Sequence, residues 1–134
     1  AAESHPSVSN YAVGVSAMAA LDDGKLLVLE REFVVTSSKI GSFVENKIYC
    51  VDPVKSMTIS QEKALDTDSP YMQKTLIATW KTSLGLLRQN LANYEGMCLG
   101  PRLADGSQVI VLCADSQDQY GGILRDWFRT IIIR

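Results

Sequence analysis

An all-β fold with one short helix, laid out as about two antiparallel blade-like units, is what this sequence predicts. Three observations carry that reading. Two stretches far apart in the chain spell the same hairpin, β-prone runs recur between and after them, and only one segment has helical spacing. The units run over about 11–60 and 73–134 of a single piece covering 1–134.

Residues 1–10 are polar, carry Pro6, and read as a loose lead-in. The first hairpin follows from about Gly14 to Phe33. Val15 to Ala20 and Leu26 to Leu29 flank Asp23-Gly24, and Glu30-Arg31-Glu32 closes it. Asp-Gly between apolar runs is the strongest short-range hairpin signal, because Gly takes φ > 0 without a Cβ clash. The turn-rich stretch from Thr36 to Gly41 leads to a third, outer strand at Phe43–Val51, which Asp52-Pro53 ends since proline cannot donate to the ladder. Met57 to Ser60 reads as a short fourth edge strand, 61–70 as a polar surface connection, and Gln73 to Trp80 as a strand. Leu84, Leu87 and Leu91 fit a short amphipathic helix, with Thr82 or Ser83 as its cap.

The second hairpin, Tyr94 to Ser116, is the clearer one. Its strands are Gly96 to Leu99 and Gln108 to Ala114, around a turn at Leu103-Ala104-Asp105-Gly106. The second strand is apolar at nearly every position, which predicts burial on both faces. Met97 answers Met18, Asp105-Gly106 answers Asp23-Gly24, Val109 to Leu112 answers Leu26 to Leu29, and Glu95 stands where Ser16 stands. Radial repetition of small antiparallel sheets is the β-propeller plan, so a partial propeller is expected. A loop from Gln117 to Leu124 and a β-prone run from Trp127 to Ile133 end the sequence. Such a strand leaves a sticky edge, and two sheets cannot close a ring that needs four or more blades. Remaining propeller blades or a homo-oligomer are the expected partners.

Net charge of −2 gives no basic footprint for nucleic acid, and no apolar run is long enough to span a bilayer. Cys50, Cys98 and Cys113 have no metal-binding spacing, and Cys98 and Cys113, on partnered strands, read as buried free thiols on a core face with a disulfide between them as the alternative. His5 is the only histidine, so a Ser-His-Asp triad would need a base from elsewhere. Met18 and Met97 read as core fillers, and Trp80, Trp127 and Phe128 as packing between sheets or at an assembly surface. Glu95 precedes one strand of the second hairpin and Asp115 follows the other, so the two carboxylates are expected on one rim.

The runs Val15 to Glu32, Asn46 to Asp52 and Asn93 to Pro101 resemble the phytase-like ("esterase-like activity of phytase") β-propeller family. Glu95-Gly96-Met97 followed by Leu99-Gly100-Pro101 and an Asp-Gly turn is the most distinctive part. The resemblance extends from about Gly14 to Asp115 and matches the later part of a longer family domain. It implies a propeller, often in an exported bacterial protein (secreted or periplasmic), acting as a phosphoester or ester hydrolase on a small phosphorylated or ester substrate. The site would then be incomplete in this chain. The family follows the second hairpin with Asp-Asn where Asp115-Ser116 stands here, so no role for a side-chain amide carries over at Ser116.

Glu30, Arg31, Glu95 and Asp115 fall on the matching motifs and are the candidate catalytic residues. Glu30, Glu95 and Asp115 round a channel mouth would offer hard oxygens suited to Ca²⁺, and Arg31 could clamp phosphate. The alternative is a non-catalytic propeller used for binding, with the acids as solvated rim charges.

Overall fold

Both Asp-Gly turns form, and the same local chemistry sets each one. Gly24 and Gly106 take φ +83° and +85°, and the preceding aspartate accepts a backbone N–H two residues on, from Lys25 to Asp23 at 3.2 Å and from Ser107 to Asp105 at 3.0 Å. The computed structural model describes residues 7–58, 64–116, 122 and 124–134. Its strands are β1 (Val8–Ala20), β2 (Leu26–Thr36), β3 (Phe43–Val51), β4 (Lys74–Ser83), β5 (Tyr94–Arg102), β6 (Gln108–Ala114) and β7 (Phe128–Ile133). They form two antiparallel meanders, β1-β2-β3-β4 and β5-β6-β7, which do not close on each other. This is a partial β-propeller of two blades.

The blades stack face to face. Leu27, Leu29 and Ile48 of the first sheet meet Tyr94, Ile110 and Leu112 of the second in one cluster, all of them buried. A second cluster, Phe33, Val35, Val44, Leu91 and Leu124, closes the far end of the same interface. The first strands of the two sheets, β1 and β5, lie against each other, so the two hairpins are neighbouring inner walls.

Several expectations need correction. No helix forms at Leu84–Leu91. Gly85 N–H bonds Arg88 O at 2.6 Å and the Asn90 side chain takes Ser83 N–H at 3.2 Å, closing a tight loop instead. Only Leu84 and Leu91 of the leucine stripe reach the core, while Leu86 and Leu87 are exposed. Tertiary contacts decided over a short periodic signal. The helical turn is the 3₁₀ segment Pro53–Lys55, capped by Asp52.

The fourth place in the first sheet belongs to β4 rather than to Met57–Ser60, where Met57 and Thr58 are not strand and the last two residues lie outside the described set. β4 therefore completes the first sheet instead of opening the second unit at residue 73. β6 is buried on one face only: Ile110, Leu112 and Ala114 point in, while Cys113 is exposed. Cys98 and Cys113 are free but exposed, and Met18 and Phe128 also stand on open faces. His5 and most of the Gln117–Leu124 loop lie outside the described residues.

Candidate functional site

A β-bulge aims the central acid. Tyr94 pairs with Ala114 and Gly96 with Cys113, which leaves Glu95 as an extra residue on β5. The first hairpin carries the same device, because Val15 pairs with Glu30 and Ala17 with Leu29, leaving Ser16 extra on β1. Both bulges lie two residues before the matched methionines, and aligning on them sets Leu29 with Cys113 and Arg31 with Asp115, correcting by one step the sequence match of Leu29 with Leu112. Gly96 suits the close pairing there, since an added Cβ would collide with Cys113 Sγ.

Across the blade interface, Arg31 of β2 reaches that bulge. Its Nη1 stands 2.9 Å from Glu95 Oε1 and also donates to Asn93 Oδ1. Asn93 Nδ2 donates to the same Glu95 oxygen at 2.6 Å, so the three side chains form a closed set. Arg31 and Glu95 are each 27% exposed at the side chain, and Asn93 is buried. A partly desolvated, charge-assisted triangle of this kind is stronger than an ordinary surface pair.

Arg31 begins a row across the first sheet, pairing with Asn46, which pairs with Trp80. Asn46 is fully buried, and neither its Oδ1 nor Trp80 Nε1 has a hydrogen-bond partner among the described residues. Trp80 packs edge-on to Tyr94 with ring centres 5.6 Å apart, and the Arg129 guanidinium lies 5.0 Å over its ring. Burial pushes the Tyr94 hydroxyl above its ordinary value of 10.0, against a smaller opposing pull from Arg129.

The four candidates divide unequally. Asp115 follows β6 and is exposed, and its backbone N–H donates to Asn93 O at 3.2 Å. Arg31 and Glu95 thus meet at the start of β5, and Asp115 lies beside it through its backbone. Glu30 does not join them. It precedes Arg31 in a strand, so it points to the opposite face. There its oxygens hold Lys74 Nζ at 2.6 and 2.7 Å, with that ammonium 4.2 Å from the Tyr49 ring centre.

The three carboxylates expected to ligate calcium are not brought together. The ion takes six to eight oxygens, whereas Arg31 and Asn93 already engage Glu95 and Glu30 lies on another face. Among the described residues no three His, Cys, Asp or Glu side chains gather in metal-binding reach. The cation at this rim is Arg31.

Asn93 is the residue that reading the sequence missed. Its place directly before Tyr94-Glu95 in the most distinctive motif was the available signal. A concavity of about 380 Å³ lies at the other end of the interface, between the two Asp-Gly turns. Two of its charged pairs are matched, Lys25 to Asp23 at 2.6 Å and Arg102 to Asp22 at 2.9 Å, and Arg134 also lines it. The first pair holds the Asp23 carboxyl below its ordinary value through the Lys25 hydrogen bond.

A sequence model of the phytase-like family, described as "esterase-like activity of phytase", matches residues 2–117. No curated protein and no solved structure matches.

Proposed function

The chain belongs to the phytase-like family, and from that premise we propose that Arg31, Asn93, Glu95 and Asp115 form part of a phosphoester or ester hydrolase site. Its substrate would be a small phosphorylated or ester molecule. The observation that supports this most is the Arg31–Glu95 pair, joined by Asn93 where the two inner strands meet.

A guanidinium carries five N–H donors in a planar fork that matches phosphate or carboxylate oxygens. Among the described residues Glu95 and Asn93 engage Arg31 through Nη1, and the guanidinium's other donors would take an anionic substrate. Glu95 takes a proton from the water whose oxygen bonds to phosphorus or the acyl carbon, the ester P–O or C–O bond breaks, and the same proton passes to the departing alkoxide, while Arg31 stabilises charge developing on the phosphoryl or carbonyl oxygen. Asn93 keeps Glu95 aimed throughout.

Steady-state kinetics of the full chain on a phosphomonoester and a carboxylic ester tests this reading. Glu95→Gln and Arg31→Lys should each lower kcat/KM about a hundredfold or more, the usual weight of a general base or an oxyanion donor. Glu30→Gln should leave it unchanged. A chain inert toward both substrates ends the catalytic claim.

A binding module is the second reading, favoured by the fact that Arg31 and Asn93 already satisfy Glu95. It predicts ligand affinity without turnover, and affinity that Glu95→Gln leaves unmoved. Calcium is a separate proposal, because it needs oxygens beyond this set. A melting temperature raised by calcium in the wild type but not in Asp115→Asn supports it, and no shift in the wild type removes it.

A further inference from the structure

We infer that the concavity between the two Asp-Gly turns is a second binding site, which takes a small organic anion with an apolar body. It lies at the opposite end of the blade interface from Arg31 and Glu95. At about 380 Å³ it falls within the size range of small-molecule pockets.

Two further bulges build it. In β4, Leu76 pairs with Tyr49 and Ala78 with Ile48, which leaves Ile77 as an extra residue. In β5, Leu99 pairs with Ile110 and Arg102 with Gln108, so three steps on one strand oppose two on the other. The excess falls at Gly100-Pro101, directly before Arg102. Bulges interrupt the ladder and re-aim side chains, and they gather beside binding sites. Here they bring Ile77 and Arg102 to the same concavity. The second bulge is also tied down, because the Nε2 of buried Gln108 donates to Gly100 O at 2.8 Å and to Val109 O at 2.9 Å.

The lining divides into an apolar wall and a charged rim. Leu21, Leu27, Ile77 and Ile133 supply the wall, and Ile77 is 41% exposed, turned toward open space rather than the core. The rim holds three cations, Lys25, Arg102 and Arg134, against two acids, Asp22 and Asp23. Lys25 is taken by Asp23. Arg102 donates to Asp22 at 2.9 Å and to Gly106 O at 3.2 Å, which clamps one Asp-Gly turn to the other. Arg134 is the surplus cation, with no ion-pair partner among the described residues. Asp105 is near the same turn, but its carboxylate accepts the Ser107 N–H at 3.0 Å. A guanidinium in excess above an apolar wall selects an anion, and its planar fork suits carboxylate or phosphate-type oxygens. The head would stay at the wet rim while the body covers Ile77 and its neighbours.

Cys50, half-buried, lines the same concavity and reports on it. In a full chain with the exposed Cys98 and Cys113 changed to serine, the rate of Cys50 alkylation is measured against hexanoate and against hexylphosphonate. These two probes tell a carboxylate head from a phosphate-type one, and titration calorimetry repeats the measurement independently of the thiol. At least one of them should bind with a Kd of about 1 mM or tighter and slow alkylation saturably, whereas acetate and hexanol at the same concentration should not. Arg134→Gln should weaken binding about tenfold or more, the weight of one charge-assisted contact, with unchanged circular dichroism. Arg31→Lys, at the far end of the interface, should leave binding intact. The proposal is overturned if neither anion binds, if acetate or hexanol does as well, or if Arg134→Gln changes nothing. Binding lost in Arg31→Lys overturns it too, since the anion would then sit at the other rim. None of these outcomes bears on the hydrolase reading, which is decided by kcat/KM.

Discussion

The two hairpins share a backbone and differ in chemistry. Each has an Asp-Gly turn with Gly at positive φ and a bulge two residues before a methionine. Yet the first bulge presents Ser16, whose hydroxyl bonds Leu29 O at 3.4 Å, and the second presents Glu95, held by Arg31 and Asn93. Opposite faces are buried as well, Leu27 and Leu29 in one and Ile110 and Leu112 in the other. Pairing and turn geometry therefore fix where a side chain is aimed, and the neighbouring sheet decides what it meets there. A repeated scaffold can carry a reactive group in one copy and a plain hydroxyl in the other.

The largest break in this comparison should come from the matched pair Leu29 and Cys113. Leu29 is fully buried, so Leu29→Ala loses its transfer energy and leaves a cavity, about 2–5 kcal/mol of stability. Cys113→Ala at the same register, but on an open face, should cost less than about 0.5 kcal/mol. Urea unfolding of the two variants measures the difference. Equal losses would mean that the faces are not used as described.

Next in size is the pair at the bulge. A double-mutant cycle on Arg31 and Glu95 should give a coupling of about 1–2 kcal/mol, since both groups are largely withdrawn from water and share Asn93. The Lys74–Glu30 pair, with 43% and 27% of its side chains exposed, should couple by about 0.5 kcal/mol or less. That ordering contrasts two acids that reading the sequence placed together. Glu30 and Arg31 are adjacent in the chain, and strand alternation alone sends them to different faces.

Much of the fold was legible because it is written locally. The Asp-Gly turns, the alternating runs and the correspondence of Ser16 with Glu95 all follow from short-range spacing. What failed depended on distant contacts. The Leu84–Leu91 stripe has helical spacing, but Gly85 and Asn90 close a loop there once β4 and β5 belong to different sheets. The bulges were not visible either, because an extra residue on one strand appears only when its partner is known. Without that register Arg31 could not be recognised as the counterpart of Asp115, or Asn93 as the third member of the triangle.

The smallest effect comes from Tyr94 and Val15, which share a register position but not an environment. Val15 is exposed on β1, whereas Tyr94 is buried against Trp80. Burial raises the folded-state pKa of the Tyr94 hydroxyl above 10.0. As pH climbs past 10.0 the unfolded chain releases this proton first, so the native state holds more protons and stability falls with rising pH. The contribution is intact below that value and lost through the folded pKa. Tyr94→Phe keeps the ring contact and removes the titration, at a cost of about 1 kcal/mol near neutrality for the loss of the polar hydroxyl. Melting curves followed by tryptophan fluorescence should therefore place the variant slightly below the wild type at pH 8 and converging on it at pH 11. Parallel curves across that range would mean that the Tyr94 hydroxyl is solvated, and that the outer end of the blade interface is wet.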